Sequence, residues 1–418
     1  MKWSLTVVAL AVLVVATVSR RLSGTPVTAA MVFVVIGVLV GPAVADLVDP
    51  SASDETVRTL AEATLAVVLF SDASRIRLDA LRREYVVPLR LLGIGLPLTI
   101  ALGAGLGALV FHQLTIAEAL VLAVLLAPTD AALGQAVVTD PRLPSRIRQG
   151  LNVESGLNDG ICVPLLFIVL AAADVESHVA SGHHAIVIVA EEIGYGILGG
   201  AGAGLLLSAV VRVGRRHHLI ADSYLQIMPV AGAALAYGIA AALGGSGFIA
   251  AFLAGMLFGA LGHESEATFQ FSETVGSLLD GLTFLAFGAV LLGPALSDLS
   301  WRIVLYAVLS LTVVRMLPVA LALLGTGARR PTSAFLGWFG PRGLASIVFA
   351  VIVVEESHLP HVQTILLTTY ATVGLSVLAH GLTAAPLTDR YVRWFRPHQP
   401  EHVPKMESVP AAPHRARA

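Results

Sequence analysis

The sequence predicts an all-α membrane protein of thirteen transmembrane helices, arranged as two inverted repeats with one broken crossing helix in each. Three observations carry that expectation. Apolar residues make up 56% of the 418-residue chain and charged ones 13%, with a mean hydropathy of +0.82, far from the balance of a soluble globular domain. The apolar residues come in runs of about 20, the length a helix needs to cross hydrocarbon, and the shorter alternating segments of a membrane barrel are absent. Proline and glycine then interrupt two of these runs at equivalent places in the two halves of the chain.

Taken in order, the runs lie near 3–19, 27–46, 56–74, 85–111, 116–138, 147–173, 186–211, 222–243, 247–262, 271–293, 302–325, 331–354 and 361–387. Arginine tests this division, because it collects in cytoplasmic loops. Arg20/Arg21, Arg75/Arg77/Arg82/Arg83, Arg142/Arg146/Arg148, Arg212/Arg215/Arg216, Arg329/Arg330 and Arg390/Arg393/Arg396 follow spans 1, 3, 5, 7, 11 and 13. The connections after spans 2, 4, 6, 8 and 12 carry no lysine or arginine, and that after span 10 carries only Arg302. The amino terminus is therefore placed outside, the carboxyl terminus in the cytoplasm, and the protein in the cell (inner) membrane. The loop after span 9, with His263, Glu264 and Glu266, lacks a basic residue and departs from the pattern. Residues 1–22 imitate a signal peptide, but Arg20–Arg21 and the want of a small-x-small cleavage site favour a retained helix.

A net charge of −2, with basic residues dispersed in short loops, gives no reason to expect nucleic acid. The single cysteine, Cys162, leaves no disulfide framework or cysteine metal site. Residues 1–390 are read as one membrane domain and 391–418 as a short disordered cytoplasmic tail, with no soluble regulatory domain in the chain.

A charge near the bilayer centre costs roughly 3 kcal/mol on insertion scales, so ionisable residues inside the runs point to function. They are Glu62, Asp72, Asp130, Glu154, Asp159, Asp280, Arg315 and Arg342. Span 6 reads NVESGLNDGICVP at 152–164, where a helix stacks Ser155 over Asp159 and Glu154 over Asn158. The first stripe, a carboxylate with a hydroxyl, suits a hard monovalent cation; the second, a carboxylate with an amide, suits an arginine fork. In span 5, LLAPTDAALG at 125–134, Pro128 should break the helix near Ala127–Thr129 and set Asp130 beside exposed carbonyls. Asp130 and Asp159 are then expected to face one cavity. In span 12, GWFGPRGLAS at 337–346 predicts a second interruption around Arg342. If spans 1–6 and 8–13 are inverted repeats joined by span 7, each broken helix is the fifth of its repeat, as in secondary transporters.

At these residues the sequence resembles the NhaP-type sodium/proton antiporters of the first monovalent cation:proton antiporter family, related to the animal sodium/proton exchangers. The resemblance covers nearly the whole chain and rests on FSDAS at 70–74, APTDAAL at 127–133, ESGLNDG at 154–160, VVRMLPV at 313–319 and GPRG at 340–343. It implies an NhaA-like fold and a homodimer in the lipid bilayer. Core helices, about 85–173 and 302–387, would move against a dimerisation part, about 1–74 and 186–293. It implies that the cation, sodium with lithium possible, is held by Asp130, Asp159, Ser155 and the backbone at Thr129, with Asp72 contributing through water. By the same resemblance Arg315 pairs with Glu154 and Asn158, and Arg342 compensates the broken span 12. Asn158 before Asp159, in place of a second aspartate, places the chain with electroneutral members. The family's usual Thr-Asp-Pro is here Thr129-Asp130-Ala131, with the proline preceding as Pro128.

The implied protein is a secondary transporter rather than an enzyme, without cofactor, whose substrates are H⁺ and Na⁺, or Li⁺ or K⁺. Its mechanism follows from burial: a carboxylate sealed from water is neutralised either by a proton or by a cation, so the two compete. Other roles stay open for several residues. Arg315 with Glu154 can be a purely structural ion pair. Asp72 can be solvated near the interface, and Asp280 and Glu62 read as helix-face or dimer-interface groups. His112, His178, His183 and His184 fall at the outer surface. A potassium/proton or organic-anion exchanger fits the same ligands. A cation channel would not need two broken helices at matched positions. An intramembrane aspartyl protease would need Gly-x-Gly-Asp where Gly156-Leu157-Asn158-Asp159 stands, and the zinc-peptidase motif His-Glu-x-x-His is absent.

Overall fold

The computed structural model describes residues 2–22, 25–47, 54–75, 86–130, 132–176, 182–261, 266–356 and 359–395. Among them there is no strand, and helix falls on each of the thirteen apolar runs. In order these are α1 (Lys2–Leu22), α2 (Ala29–Val40), α3 (Asp54–Ser74), α4 (Val86–Val110), α5a (Ile116–Leu125) with α5b (Gln135–Val138), α6 (Ser145–Glu176) and α7 (Gly182–Arg216). There follow α8 (Met228–Ala242), α9 (Gly247–Leu261), α10 (Glu266–Ala286), α11 (Trp301–Ala322), α12a (Arg330–Trp338) with α12b (Leu344–Glu356), and α13 (Val362–Phe395). Among the described residues seven helices are long and apolar enough to cross a membrane, and Ala29–Val40, Ile116–Leu125, Gly247–Leu261 and Leu344–Val354 are shorter apolar helices. Side chains such as Leu109 and Leu198, 72% and 65% exposed on the isolated chain, are the surface that hydrocarbon covers.

Three helices contain a π turn, at Leu91–Gly95, Phe287–Leu292 and Ser310–Val314. Each holds the residue four before a proline: Gly93 before Pro97, Val290 before Pro294, Val314 before Pro318. The proline ring cannot donate to that carbonyl and crowds it, and the ladder relieves the conflict by taking in an extra residue. In α11 the consequence is functional, because the turn ends at Arg315 and sets the face on which that arginine emerges. Pro164 and Pro386 sit inside α6 and α13 without such a turn.

Helices α4, α5a, α6, α11, α12 and α13 pack on one another, and α2, α3, α7, α8, α9 and α10 form a second group. The groups meet mainly where α6 lies on α3, α7 and α9 and where α12b lies on α3. Within the second group, small residues bring backbones together: a Cβ on Gly255 would stand 2.3 Å from the Phe70 carbonyl oxygen, and one on Gly259 2.0 Å from that of Ser74.

Two expected boundaries move. Span 2 ends as helix at Val40, where the Gly41 N–H closes the last turn on Gly37. The tail expected from residue 391 begins later, because α13 continues to Phe395. Tyr391 and Phe395 are buried there, with the Tyr391 ring 4.6 Å from that of Phe335. Aromatic packing on α12a thus holds as helix a segment whose arginines suggested solvent. Arg77, Arg82, Arg83, His178, His263 and Glu264, and the tail beyond 395, lie outside the described residues.

Candidate functional site

The two interrupted helices cross at their breaks. Helix α5a stops at Leu125, three residues before Pro128, and α12a stops at Trp338, three before Pro341. Past Leu126 and past Phe339, whose N–H groups still close on Leu122 and Phe335, the chain leaves the helical ladder, and the backbone groups it frees must find partners inside a low-dielectric interior.

Side chains from three helices supply those partners. The Ser346 hydroxyl donates to the Leu125 carbonyl at 2.7 Å. Arg342 Nη1 donates to the carbonyls of Ala127 and Pro128 at 2.8 and 3.1 Å, and Asn158 Nδ2 also donates to Ala127, at 3.3 Å. The Ser155 hydroxyl donates to the Thr129 carbonyl at 2.6 Å. Across the crossing, Asp130 N–H donates to the Pro341 carbonyl at 2.8 Å, and the Asp130 carboxylate accepts from Leu344 N–H at 3.0 Å and Ala132 N–H at 2.8 Å. An acid at the start of a helix meets its unpaired N–H groups and the positive end of its dipole.

The second break uses residues that the sequence reading passed over. Ser376 accepts from the Arg342 backbone N–H at 2.7 Å, and His380 Nε2 lies 2.9 Å from the Trp338 carbonyl, which has no N–H to accept except that of Gly340. The His380 ring stacks on that of Trp338 at 5.0 Å. Both residues lie on α13, one turn apart, inside an apolar run where neither carries a formal charge that hydropathy would flag. Glu118 was passed over too: it closes the capping box at Thr115 and accepts from His361 N–H at 2.9 Å, tying the starts of α5a and α13 together.

Two glycines are fixed by contact with the site. A Cβ on Gly343 would stand 2.0 Å from Asp130 Oδ2, and one on Gly340 2.3 Å from Arg315 Nε. The GPRG segment is therefore as much a clearance as a hinge.

Arg315 and Glu154 form a two-pronged ion pair at 2.6 and 2.7 Å, with both side chains almost fully buried. Asn158 does not join them; its amide turns to Ala127, and its oxygen accepts from Cys162 Sγ at 3.4 Å. Arg342 likewise serves the carbonyls of α5a's break rather than those of its own span, because its backbone is already met by Ser376. Asp280 is not a helix-face group but 9% exposed, and Glu62 bonds Arg58 and Tyr237 at 2.8 and 2.9 Å.

Among the described residues nine buried side-chain atoms have no hydrogen-bond partner, and two of the oxygens stand beside the crossing. Asp159, 7% exposed, has Oδ1 buried and unbonded, and Thr129, 3% exposed, has an unbonded hydroxyl. Unmet buried oxygens of this kind are rare and costly. A narrow cleft is lined by Thr129, Asp130 and Ser155 together with Val138 and Leu151. Asp159 does not line it and lies one helical turn beyond Ser155. Asp72 packs where Gly156 leaves room, 3.4 Å from the position a Cβ would take. The groups brought to one region are thus Asp72, Thr129, Asp130, Ser155 and Asp159.

Residues 8–390 match the model of a family described as the sodium/hydrogen exchanger, transmembrane. The chain belongs to that family. It is 26% identical over 341 residues to a Na⁺/H⁺ antiporter of Schizosaccharomyces pombe, covering 76% of this chain and 72% of that one. It is 27% identical over 379 residues to the K⁺/H⁺ antiporter NhaP2 of Shewanella sp. ANA-3, covering 87% of this chain and 62% of that one, so it spans about three-fifths of that relative. Its fold matches the structure of the sodium proton antiporter MjNhaP1 from Methanocaldococcus jannaschii with a TM-score of 0.76, over 93% of this chain and 97% of that one, at 19% identity. The all-helical architecture expected from the sequence is the one found, and it matches that structure's fold.

Proposed function

We propose that this member of the sodium/hydrogen exchanger family is a secondary antiporter in which a monovalent cation and a proton compete for Asp159 and Asp130. The observation that carries the reading is the pair of unbonded oxygens, Asp159 Oδ1 and Thr129 Oγ1, buried beside two helix breaks. A carboxylate there is stable only when a proton or a cation neutralises it. Ser155 and the Thr129 backbone complete a set of hard oxygen donors, and Asp72 lies close enough to act through water. Glu154, Asn158, Arg315 and Arg342 hold the breaks open by taking up the charges and carbonyls that the breaks create.

In this reading all thirteen helical runs cross the cell membrane, with the amino terminus outside and the carboxyl terminus in the cytoplasm. The bundle of α4–α6 and α11–α13 moves as the core against the rest, which forms a homodimer. Asn158 standing before Asp159, in place of a second aspartate, supports electroneutral exchange. Sodium and lithium are the first cations to test. Potassium is the second reading, favoured by the names of the Shewanella relatives.

The test is reconstitution in vesicles with an imposed pH gradient, adding sodium, lithium and potassium in turn. Wild type should collapse the gradient on cation addition, and Asp159→Asn should not. Equal activity of the two would remove Asp159 as the carrier, and cation flux without proton counterflow would replace exchange by a channel.

A further inference from the structure

Asp280, on α10, belongs to neither the crossing nor an ion pair. It is 9% exposed, and its Oδ1 is buried with no hydrogen-bond partner among the described residues. The neighbouring charges that act on it are those of Asp130 and Asp72. An intramembrane acid without a partner is an ion-pathway group by its chemistry, since only a proton or a cation can satisfy it.

Its height relative to the ion site follows from helix contacts. Helices α3 and α10 run antiparallel: Thr283 Oγ1 donates to Thr64 Oγ1 at 3.1 Å, a Cβ on Gly276 would meet Val68 at 3.7 Å, and Arg75 pairs with Glu273 at 3.0 Å. Helix α9 runs parallel to α3, with Gly255 on Phe70 and Gly259 on Ser74. Helix α6 meets α3 through Gly156 on Asp72, and α9 through Gly160 on the ring of Phe252, one turn before Gly255. Passing from Gly156 to Gly160 therefore moves back along α3 from Asp72 towards Val67, so α6 and α3 are antiparallel.

Asp159 then lies about 4.5 Å beyond Gly156 along the axis, near the level of Val68 and Gly276. Asp280 lies a further 6 Å or so on, one turn past Gly276. The three acids form a ladder along the membrane normal in the order Asp72, Asp159, Asp280. The cleft extends towards the Asp72 side, because Leu151, one turn before Ser155, lines it, and Asp280 does not. Asp280 lies at a level beyond Asp159, on the side away from that cleft.

We propose that Asp280 is a second cation and proton station, contributed by α10, on the pathway that opens when the cleft beside Asp72 shuts. This rests on the antiport reading and adds to it a carboxylate that serves one face of the membrane only. An ion leaving Asp159 on the side away from the cleft would pass the level of an acid able to accept it, whereas an ion using the cleft would not.

The test is to titrate sodium, lithium and potassium separately against right-side-out and everted membrane vesicles carrying the full chain, reading proton flux for wild type, Asp280→Asn and Asp280→Glu. Loss of one charged ligand should raise the half-saturating cation concentration of Asp280→Asn about tenfold from the face opposite the Asp72 cleft, and leave the other face unchanged. Asp280→Glu should restore the wild-type value. An equal shift from both faces, no shift, or failure of Asp280→Glu to restore it would overturn the assignment. If Asp280→Asn does not assemble, Asp280→Ser is read against the same outcomes. Wild type without cation–proton exchange from either face would overturn the antiport reading and this one with it. Exchange in wild type with Asp280→Asn unaltered overturns the station alone.

Discussion

The Asp130 carboxylate accepts the backbone N–H of Leu344 at 3.0 Å, so the acid of one broken helix caps the second half of the other. Arg342, two residues before Leu344, returns the interaction by donating to the Ala127 and Pro128 carbonyls. Each break supplies what the other lacks, a negative group for unpaired N–H and a positive one for unpaired carbonyls. The crossing is therefore a single unit.

Asp130→Ala removes a helix cap as well as a charge. We expect it to lower stability by about 1 kcal/mol, the usual worth of such a cap, and to abolish exchange. Asp130→Asn keeps a carbonyl oxygen for Leu344 and should recover most of the stability while exchange stays at background. Thermal unfolding in detergent, set beside vesicle flux, separates the two effects.

Gly343→Ala places a Cβ where Asp130 Oδ2 now sits, 2.0 Å away. The backbone of the break or the carboxylate must shift, at a cost of about 1–3 kcal/mol. Exchange should fall more than tenfold, since 1.4 kcal/mol at the site is already a factor of about ten. An active, stable Gly343→Ala would mean that the crossing is looser than described.

Glu154→Gln leaves Arg315 buried without its counter-charge, and breaking a buried pair in this way costs about 3–5 kcal/mol. Arg315→Lys should not rescue the site, because an ammonium cannot reproduce the fork that meets both Glu154 oxygens. Both variants should show lowered unfolding temperatures. Retained stability in Glu154→Gln would contradict the structural role given to the pair.

Competition sets the pH dependence. Each tenfold rise in proton concentration below the titration range of the acidic site should raise the half-saturating cation concentration by a factor approaching ten, with little change in maximal flux. Flux curves at a series of pH values check this. A cation affinity independent of pH would count against a shared site.

In the loop after α5b, the Arg142 guanidinium beside Asp140, with contacts at 2.6 and 3.0 Å, holds that carboxyl below its usual range. A lowered carboxylate contributes stability above its unfolded value and loses it as pH falls through the folded one. The Arg142 side of the pair is half exposed and screened by solvent, so Asp140→Asn should cost at most about 1 kcal/mol near neutrality and nothing in strong acid.

The helical runs and both breaks were legible because their signals are local: hydropathy needs only a window, and Pro128 and Pro341 stand beside polar or glycine residues, unlike Pro164 and Pro386, which are carried inside helices. Most of the buried acids were legible because lipid makes a charge conspicuous, although Glu118, in the same run as Asp130, was passed over. Partner choice was not. Asn158 is one turn from Glu154, which suggested a common arginine, but the carbonyl of Ala127 lies nearer its amide, and only the folded crossing brings it there. Ser376 and His380 were missed because a hydroxyl and a neutral imidazole barely disturb an apolar run, although together they satisfy the break in α12. The ladder of Asp72, Asp159 and Asp280 needs the antiparallel packing of α3 against α6 and α10, which no window along the chain contains.

Counting protons at the moment of cation binding reaches the competition itself. Purified protein in detergent, titrated with sodium, lithium or potassium by calorimetry in buffers of different ionisation enthalpy, should release protons from wild type as the cation binds, and none from Asp159→Asn. Cation binding to wild type with no proton released, or the same release from Asp159→Asn, would contradict a shared acidic site.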